Sequence, residues 1–301
     1  MAINRADIAK QLLPGLNAIF GLEYAAVDEE HTSLFDVENS DRAFEEEVLM
    51  TGFGAAPTKA EGSAVVYDTA QESWASRYTH ETVALAFAVT EEAMEDNLYD
   101  TFAKIRARAL ARAMAQTKQV KAANTFNNGF DAAYTGGDSV AFFSAAHPTV
   151  GDGNQSNLET AADLAEGTLE TAIINTHKMK DDRGIFIGAS PTSLHIAPDG
   201  QFDADRILSS PGRSASPNND INAVRNLGIV PQGYTVNRRF TDADAWFLRN
   251  DTPNGTKLFI RAPLATKMEP DFDTGNLRFK ARERYSFGWS DWRQYRGNKG
   301  V

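Results

Sequence analysis

The amino-acid sequence predicts an α+β protein, and three features predict it. An alanine-rich stretch reads as one long helix. The C-terminal stretch alternates apolar and charged residues as a strand does. Elsewhere helices and strands follow one another without the βαβαβ regularity of a doubly wound sheet. With 301 residues, 42% of them apolar and 24% charged, the chain suffices for one large domain or two modest ones around a sizeable core.

Residues 1–40 open with a helical patch, in which Ile8, Leu12, Leu13, Leu16 and Ile19 recur at helical spacing around Pro14 and Gly15. The acidic tail Val27–Ser40 has little of its own to bury, so the segment reads as an arm lying on something else. Between 43 and 90, Phe44–Met50 leads through Thr51–Pro57 into a polar, small-residue stretch ending near Ser76. Val83, Leu85, Phe87 and Val89 then alternate with Thr and Ala, the period of a half-buried strand. The intervening stretch of about 25 residues lacks a core pattern, and a loop that long is usually functional or disordered. It reads as an extended hairpin that needs a partner to bury Val65, Val66, Tyr67 and Trp74.

The clearest helix starts at the N-cap Thr90, with Glu91 and Glu92 in its first turn, and the stripe Leu98, Phe102, Ile105, Ala109, Ala113, Val120 and Ala123 marks its expected buried face. From Tyr99 to Phe126 it would span about 40 Å at 1.5 Å per residue. Asn127-Asn128-Gly129, residues that tolerate the left-handed region, end it. Residues 131–168 are rich in turns, with a short apolar strand at Val140–Phe143. Beyond them the expectations are a helix over Thr168–Lys180, strands at Ile185–Ile187 and Ser193–Ile196, a helix starting at Gln201–Leu208, and strands at Ala245–Phe247 and Lys257–Ile260 joined by Asp251–Gly255. The last strand is the sharpest pattern: Leu277, Phe279, Ala281, Glu283, Tyr285, Phe287 and Trp289 share one face, and Arg278, Lys280, Arg282 and Arg284 the other. Four like charges on one strand face repel, so this face should meet carboxylates or stay hydrated; edge protection by cations is the alternative reading.

Charge bounds the function. The net charge is −11, against a protein whose main task is wrapping nucleic acid. Residues 1–50 hold eleven acids, Asp7 through Glu47, against Arg5, Lys10 and Arg42. Residues 101–125 hold Lys104, Arg106, Arg108, Arg112, Lys118 and Lys121 with no acid, which suits a solvated helix face or an acidic partner. The absence of cysteine excludes disulfides, thiolate metal sites and a Cys nucleophile. No apolar run reaches the roughly 20 residues of a membrane span, and the N-terminus lacks a signal-peptide core, so synthesis in a cytoplasm is the expectation.

No catalytic pattern emerges. His31, His80, His147, His177 and His195 lack metal-ligand spacing, and Gly52-Phe-Gly54-Ala-Ala-Pro57 lacks the third glycine and the helix of a dinucleotide loop. Asp271–Asn276 resembles a calcium loop, but its glycine comes one position early and Arg282 stands at position twelve, so a tight turn is expected there. The expectation is a protein that is not an enzyme, with no catalytic residues, cofactor or metal; a soluble hydrolase is the weakest alternative.

Several separate motifs, in order, resemble the Mu-like major head subunit family of tailed bacteriophages. They are Ala172–Asn175 through Lys178–Gly188, Asn218–Val224, Val236-Asn237 with Thr241–Phe247, Asp271–Asn276 and Ala281–Asp291. Asp291-Trp292-Arg293, where Pro is expected after the Asp, and Arg238-Arg239 depart from the pattern. The resemblance implies the capsid fold of phage Hong Kong 97: an N-terminal arm (1–40), an E-loop β-hairpin (41–90), a peripheral domain (91–158 and 256–301) with a spine helix at about 98–126 and a sheet, and an axial domain (159–255). It further implies a subunit that assembles with itself into pentamers and hexamers of an icosahedral head enclosing double-stranded DNA without sequence-specific binding, with portal, scaffold and cement proteins as further partners, no membrane, and the virion capsid as location. An encapsulin-like compartment shell is the alternative. The candidate inter-subunit contacts are Trp74, Tyr67, Glu45, Glu46, Arg106, Arg112, Arg278, Arg282 and Arg284. The acidic arm and the basic helix or strand are expected to meet across a subunit boundary.

Overall fold

A computed structural model describes residues 5–90, 92, 93, 99–213, 220–271 and 273–301, and side chains outside 5–14 and 99–102. Glu91, Leu98, Asn218, Asn219 and Phe272, and the side chains of Ile8, Leu12, Leu13 and Phe102, therefore lie outside the described residues.

The predicted last strand organises the fold. It forms as β11 (Leu277–Trp289), flanked on one side by β10 (Thr256–Pro270) and on the other by β4 (Glu81–Val89), both antiparallel. A short β1 (Asp36–Asn39) pairs parallel with β10 and closes the sheet order β1-β10-β11-β4. The long helix Tyr99–Asn127 lies across the apolar face of β11, with the N-terminal helix Arg5–Ala25 beside it. Ala103, Ala107 and Ala111 are fully buried here against Phe279 and Ala281, because methyl side chains let helix and sheet approach closely.

The buried face of the long helix differs from the expected stripe. Ile105 and Val120 are 53% and 37% exposed, while Leu110, Met114, Ala122 and Phe126 are buried. The first half of the helix faces the N-terminal helix and β11, whereas the second half faces an aromatic core of Leu34, Phe35, Phe142, Phe143, Trp292 and Tyr295. One rotational phase cannot serve both. The long helix is described from Tyr99; upstream, Thr90 Oγ1 accepts from Ala93 N–H, where residues 92 and 93 are helical. At its end Gly129 is required for close approach rather than for a left-handed conformation: an added Cβ would lie 2.7 Å from the Phe143 ring.

A second sheet, β12-β9-β7-β8, consists of β7 (Pro191–Ile196), β8 (Tyr234–Val236), β9 (Trp246–Asn250) and β12 (Tyr295–Asn298). Helices Glu166–His177 and Gln201–Ser209 pack on it around Leu194, Leu248 and Trp246. The turn Asp251–Gly255, with Asn254 at φ 57°, joins strands of two different sheets rather than a hairpin. Two predicted strands are loops. Val140–Phe143 follows Ser139 at φ 63° and owes its apolar character to burial of Phe142 and Phe143 in the aromatic core. Ile185–Ile187 is an exposed loop. The turn at Asp271 forms as expected, with Gly275 at φ 66° and its N–H donating to Asp271 O.

The acidic tail lies on its own chain. Leu34 and Phe35 enter the aromatic core, and the carboxylates meet cations far along the sequence: Asp28 and Glu30 with Arg238, Glu30 also with Arg239, Asp36 with Arg249, and Glu38 with Lys257.

His195, on β7, is 1% exposed; its Nε2 lies 2.9 Å from Ser193 Oγ, and its Nδ1 has no partner. Burial, with Arg249 adding repulsion, pushes its pKa down to about 3. A depressed pKa leaves stability full above the ordinary value of 6.5 and removes it as pH falls toward 3. The wild-type chain should therefore lose roughly 3 kcal/mol through this group between pH 7 and pH 4, and His195→Leu should not. Urea unfolding at the two pH values checks this, and parallel losses in both proteins contradict it.

Candidate assembly surfaces

Strands β2 (Phe44–Met50) and β3 (Glu72–Thr79) form the expected hairpin, antiparallel from Phe44↔Thr79 to Met50↔Glu72. Its root is fastened to the main sheet. Trp74 Nε1 donates to Ser290 O at 3.1 Å, Tyr78 Oη lies 2.6 Å from Ser290 Oγ, and Glu47 bonds both Lys257 and Ser290. A polar relay runs alongside: Ser40 Oγ donates to Glu45 at 2.7 Å and lies 2.9 Å from His80 Nε2, while His80 Nδ1 lies 3.0 Å from Ser286 Oγ on β11. Trp74 therefore packs against its own chain's core, contrary to the expectation that it needs a partner. Its indole is satisfied by a carbonyl that only the fold brings near, 216 residues away.

The far end of the hairpin behaves differently. The strands stop at Thr51, whose N–H donates to Gln71 O and whose Oγ1 accepts from Gln71 N–H, and the loop beyond exposes Phe53 at 64%, Val65 at 65%, Val66 at 68% and Tyr67 at 94%. The outer face of β2 adds Phe44, Val48 and Met50. Alternation within Phe44–Met50 contains these three positions, but the acids between them hide the signal. Ile185, Phe186 and Ile187, expected as a strand, are exposed as well, and Leu22, Phe202, Ile221 and Leu227 are exposed elsewhere. Apolar groups gathered this way on a water-facing surface usually mark a partner's contact.

The other surface is the sheet face opposite the long helix. Register places Arg278, Lys280, Arg282 and Arg284 of β11 beside Ala88, Ala86, Ala84 and Thr82 of β4. The small residues leave the cations uncovered, as an open shelf. Arg278 pairs with Asp271, and Arg284 Nη2 reaches Ala43 O at 3.5 Å, at the root of the hairpin. Lys280 and Arg282 are exposed, and no ion pair is formed by them among the described residues. The apolar face of the same strand hides one charge, Glu283, 3.8 Å from Lys118. Burial raises its pKa, and Lys118 opposes that shift.

The remaining candidates separate. Glu46 pairs with Arg77 within the hairpin at 3.6 Å, and Arg77 lies over the Phe44 ring. Arg112 pairs with Glu23 of the N-terminal helix, whereas Arg106 is exposed. The acids of residues 28–47 and the basic helix are thus largely engaged within one chain, which removes most of the acidic arm as a partner for the cations of a neighbour. Among the described residues no cluster of His, Cys, Asp and Glu could hold a metal ion, and no helix is long and apolar enough to cross a membrane.

Residues 72–295 match the model of a family described as phage capsid protein. The fold aligns with the procapsid of bacteriophage JBD30 (TM-score 0.56, 14% identity, 99% of this chain and 77% of that one). It also aligns with the capsid of the empty GTA particle (0.54, 12%, 92% and 91%) and with a virus-like particle from Pyrococcus furiosus (0.52, 11%, 94% and 97%). At such identities the likeness concerns the fold, which is the Hong Kong 97-like mixture of helix and sheet that the sequence motifs implied. No curated protein matches the sequence.

The geometry separates two aromatic side chains that the sequence treats alike. Trp74→Ala should destabilise the free subunit by about 2–4 kcal/mol through lost packing and a lost hydrogen bond. Tyr67→Ala should change it by less than about 0.5 kcal/mol. Thermal denaturation of the unassembled chain checks this, and equal effects would contradict the assignment of one residue to the core and the other to a partner.

Proposed function

This chain belongs to the phage capsid protein family and forms part of the virion capsid, and from that premise we propose that it is the major shell subunit, tiling as pentamers and hexamers of an icosahedral head around double-stranded DNA. The observation that carries the reading is the hairpin: a root bonded into the main sheet and an end whose apolar side chains stay exposed among the described residues. Burying such a run at a repeated contact turns it into a stabilising term, and a contact between two different surfaces of identical chains closes into rings.

In this reading residues 1–40 are the arm, 41–90 the E-loop region, 91–158 with 256–301 the peripheral domain and 159–255 the axial domain. The hairpin end carrying Tyr67 and the shelf carrying Lys280, Arg282 and Arg284 are contact surfaces between copies. Glu45, Glu46, Arg112 and Trp74 support those surfaces through bonds inside the subunit, and Arg106 is a further contact. The work is structural, with no chemical step. Portal, scaffold and cement proteins are the other partners this reading expects. A compartment shell of the same fold is the second reading, and the contents of purified particles, nucleic acid or protein, separate the two.

Expression of the full chain should yield particles visible by electron microscopy, and a monomer under every condition, scaffold included, would overturn the proposal. Arg282→Glu combined with Arg284→Glu should abolish or misroute shell formation while leaving the subunit folded. Shells of normal size and yield from that double variant would remove the cationic shelf from the assembly mechanism.

A further inference from the structure

The hairpin loop is tied down at one point. Among the described residues, the hydrogen bonds and ion pairs that link residues 52–70 to the rest of the chain all run from Asp68 to Arg183: Arg183 Nη2 donates to Asp68 Oδ1 at 2.8 Å and to Oδ2 at 3.0 Å. Within the loop, Asp68 also accepts from Gly54 N–H at 2.7 Å and Thr69 N–H at 2.9 Å. One carboxylate thus gathers both arms of the loop and fastens them to the body.

Arg183 stands on a rigid support. Its N–H donates to Asp181 Oδ1, and the same oxygen accepts from Ile185 N–H. Its neighbour Asp182 is buried against Arg293 at 2.7 Å, and Gly151 N–H donates to Asp182 O at 2.9 Å. The body side of the contact is fixed, so opening it moves only the loop. The contact is also weakly held. The two side chains are 22% and 38% exposed, and exposed ion pairs compete with water and salt. The hairpin root, by contrast, is held by Trp74, Tyr78 and Lys257 inside the protein. A fixed root, a pin at the neck of the loop and four uncovered apolar side chains close to it in the chain make a part that can change partners.

We propose that the Asp68–Arg183 pair is a releasable latch that parks the loop of a free subunit against its own body, and that its opening lets Phe53, Val65, Val66 and Tyr67 seat on a second copy. The inference rests on the shell-building reading and adds a control point to it. The hydrogen bonds from Gly54 and Thr69 and the Arg183 guanidinium hold the Asp68 carboxyl below its ordinary range, so the latch stays charged well into acid conditions. Its opening is then driven by competition from the second copy rather than by protonation.

The test uses the full chain with Arg183→Ala, and Arg183→Lys as the conservative variant that keeps the charge. In free subunits, deuterium uptake over residues 52–70 should become several-fold faster in Arg183→Ala, and shell formation followed by light scattering should start several-fold sooner. Arg183→Lys should lie close to the wild type in both. Unchanged loop exchange, or faster exchange with slower assembly, overturns the latch while leaving the shell reading intact. A wild-type chain that never forms shells overturns the reading and the latch together.

Discussion

A β-strand puts successive side chains on opposite faces, and β11 uses both, one to build the core and one to carry a row of cations. Leu277, Phe279, Ala281 and Tyr285 are buried under the long helix, which fixes the sheet, the helix and the N-terminal helix in one body. The same alternation places Arg278, Lys280, Arg282 and Arg284 together on the opposite face, where Lys280 and Arg282 in the middle of the row are exposed. The core cannot be built from this strand without building the cationic shelf. A one-residue slip would bury four cations, so the register of β11 against β4 and β10 is enforced by the cost of burying charge.

The hairpin repeats this division along its length. Its root shares side chains with the end of β11 through Ser290, Ser286 and Lys257, and so belongs to the core. Its end is tied to the body, among the described residues, through the half-exposed Asp68–Arg183 pair and carries the apolar run. Buried charges brace the second sheet, Arg293 just before β12 with Asp182 and Arg296 on β12 with Glu159. Removing one partner of such a pair leaves an unpaired buried charge, so those contacts fix geometry. The adjustable contacts lie on the surface, where water keeps ion pairs weak. Rigid framework and movable contacts are thus separated by burial.

How much of this was legible in the sequence follows from how local each cause is. The long helix and β11 declare themselves through period and composition within a single window. The hairpin was legible as an absence, a long stretch with no pattern of its own. The buried face of the long helix was not, because alanine fits either face, and the two cores it serves are assembled from residues as distant as Leu16 and Tyr295. The intrachain pairing of the acidic tail is illegible for the same reason. Its partners Arg238, Arg249 and Lys257 lie some 200 residues downstream, so the sequence points to a neighbouring subunit instead. Val140–Phe143 and Ile185–Ile187 are apolar runs too short to distinguish strand, core loop and exposed contact; the fold makes the first a core loop and the second a surface.

The central claim is that the surfaces left open by one chain are closed by another. Hydroxyl-radical footprinting of free subunits and of assembled particles, read by mass spectrometry, tests it residue by residue. Met50, Phe53 and Tyr67 should be oxidised readily in the free subunit and protected on assembly, while Phe126 and Phe142 stay protected in both. Particles in which Met50, Phe53 and Tyr67 remain as reactive as in the free subunit would contradict the account.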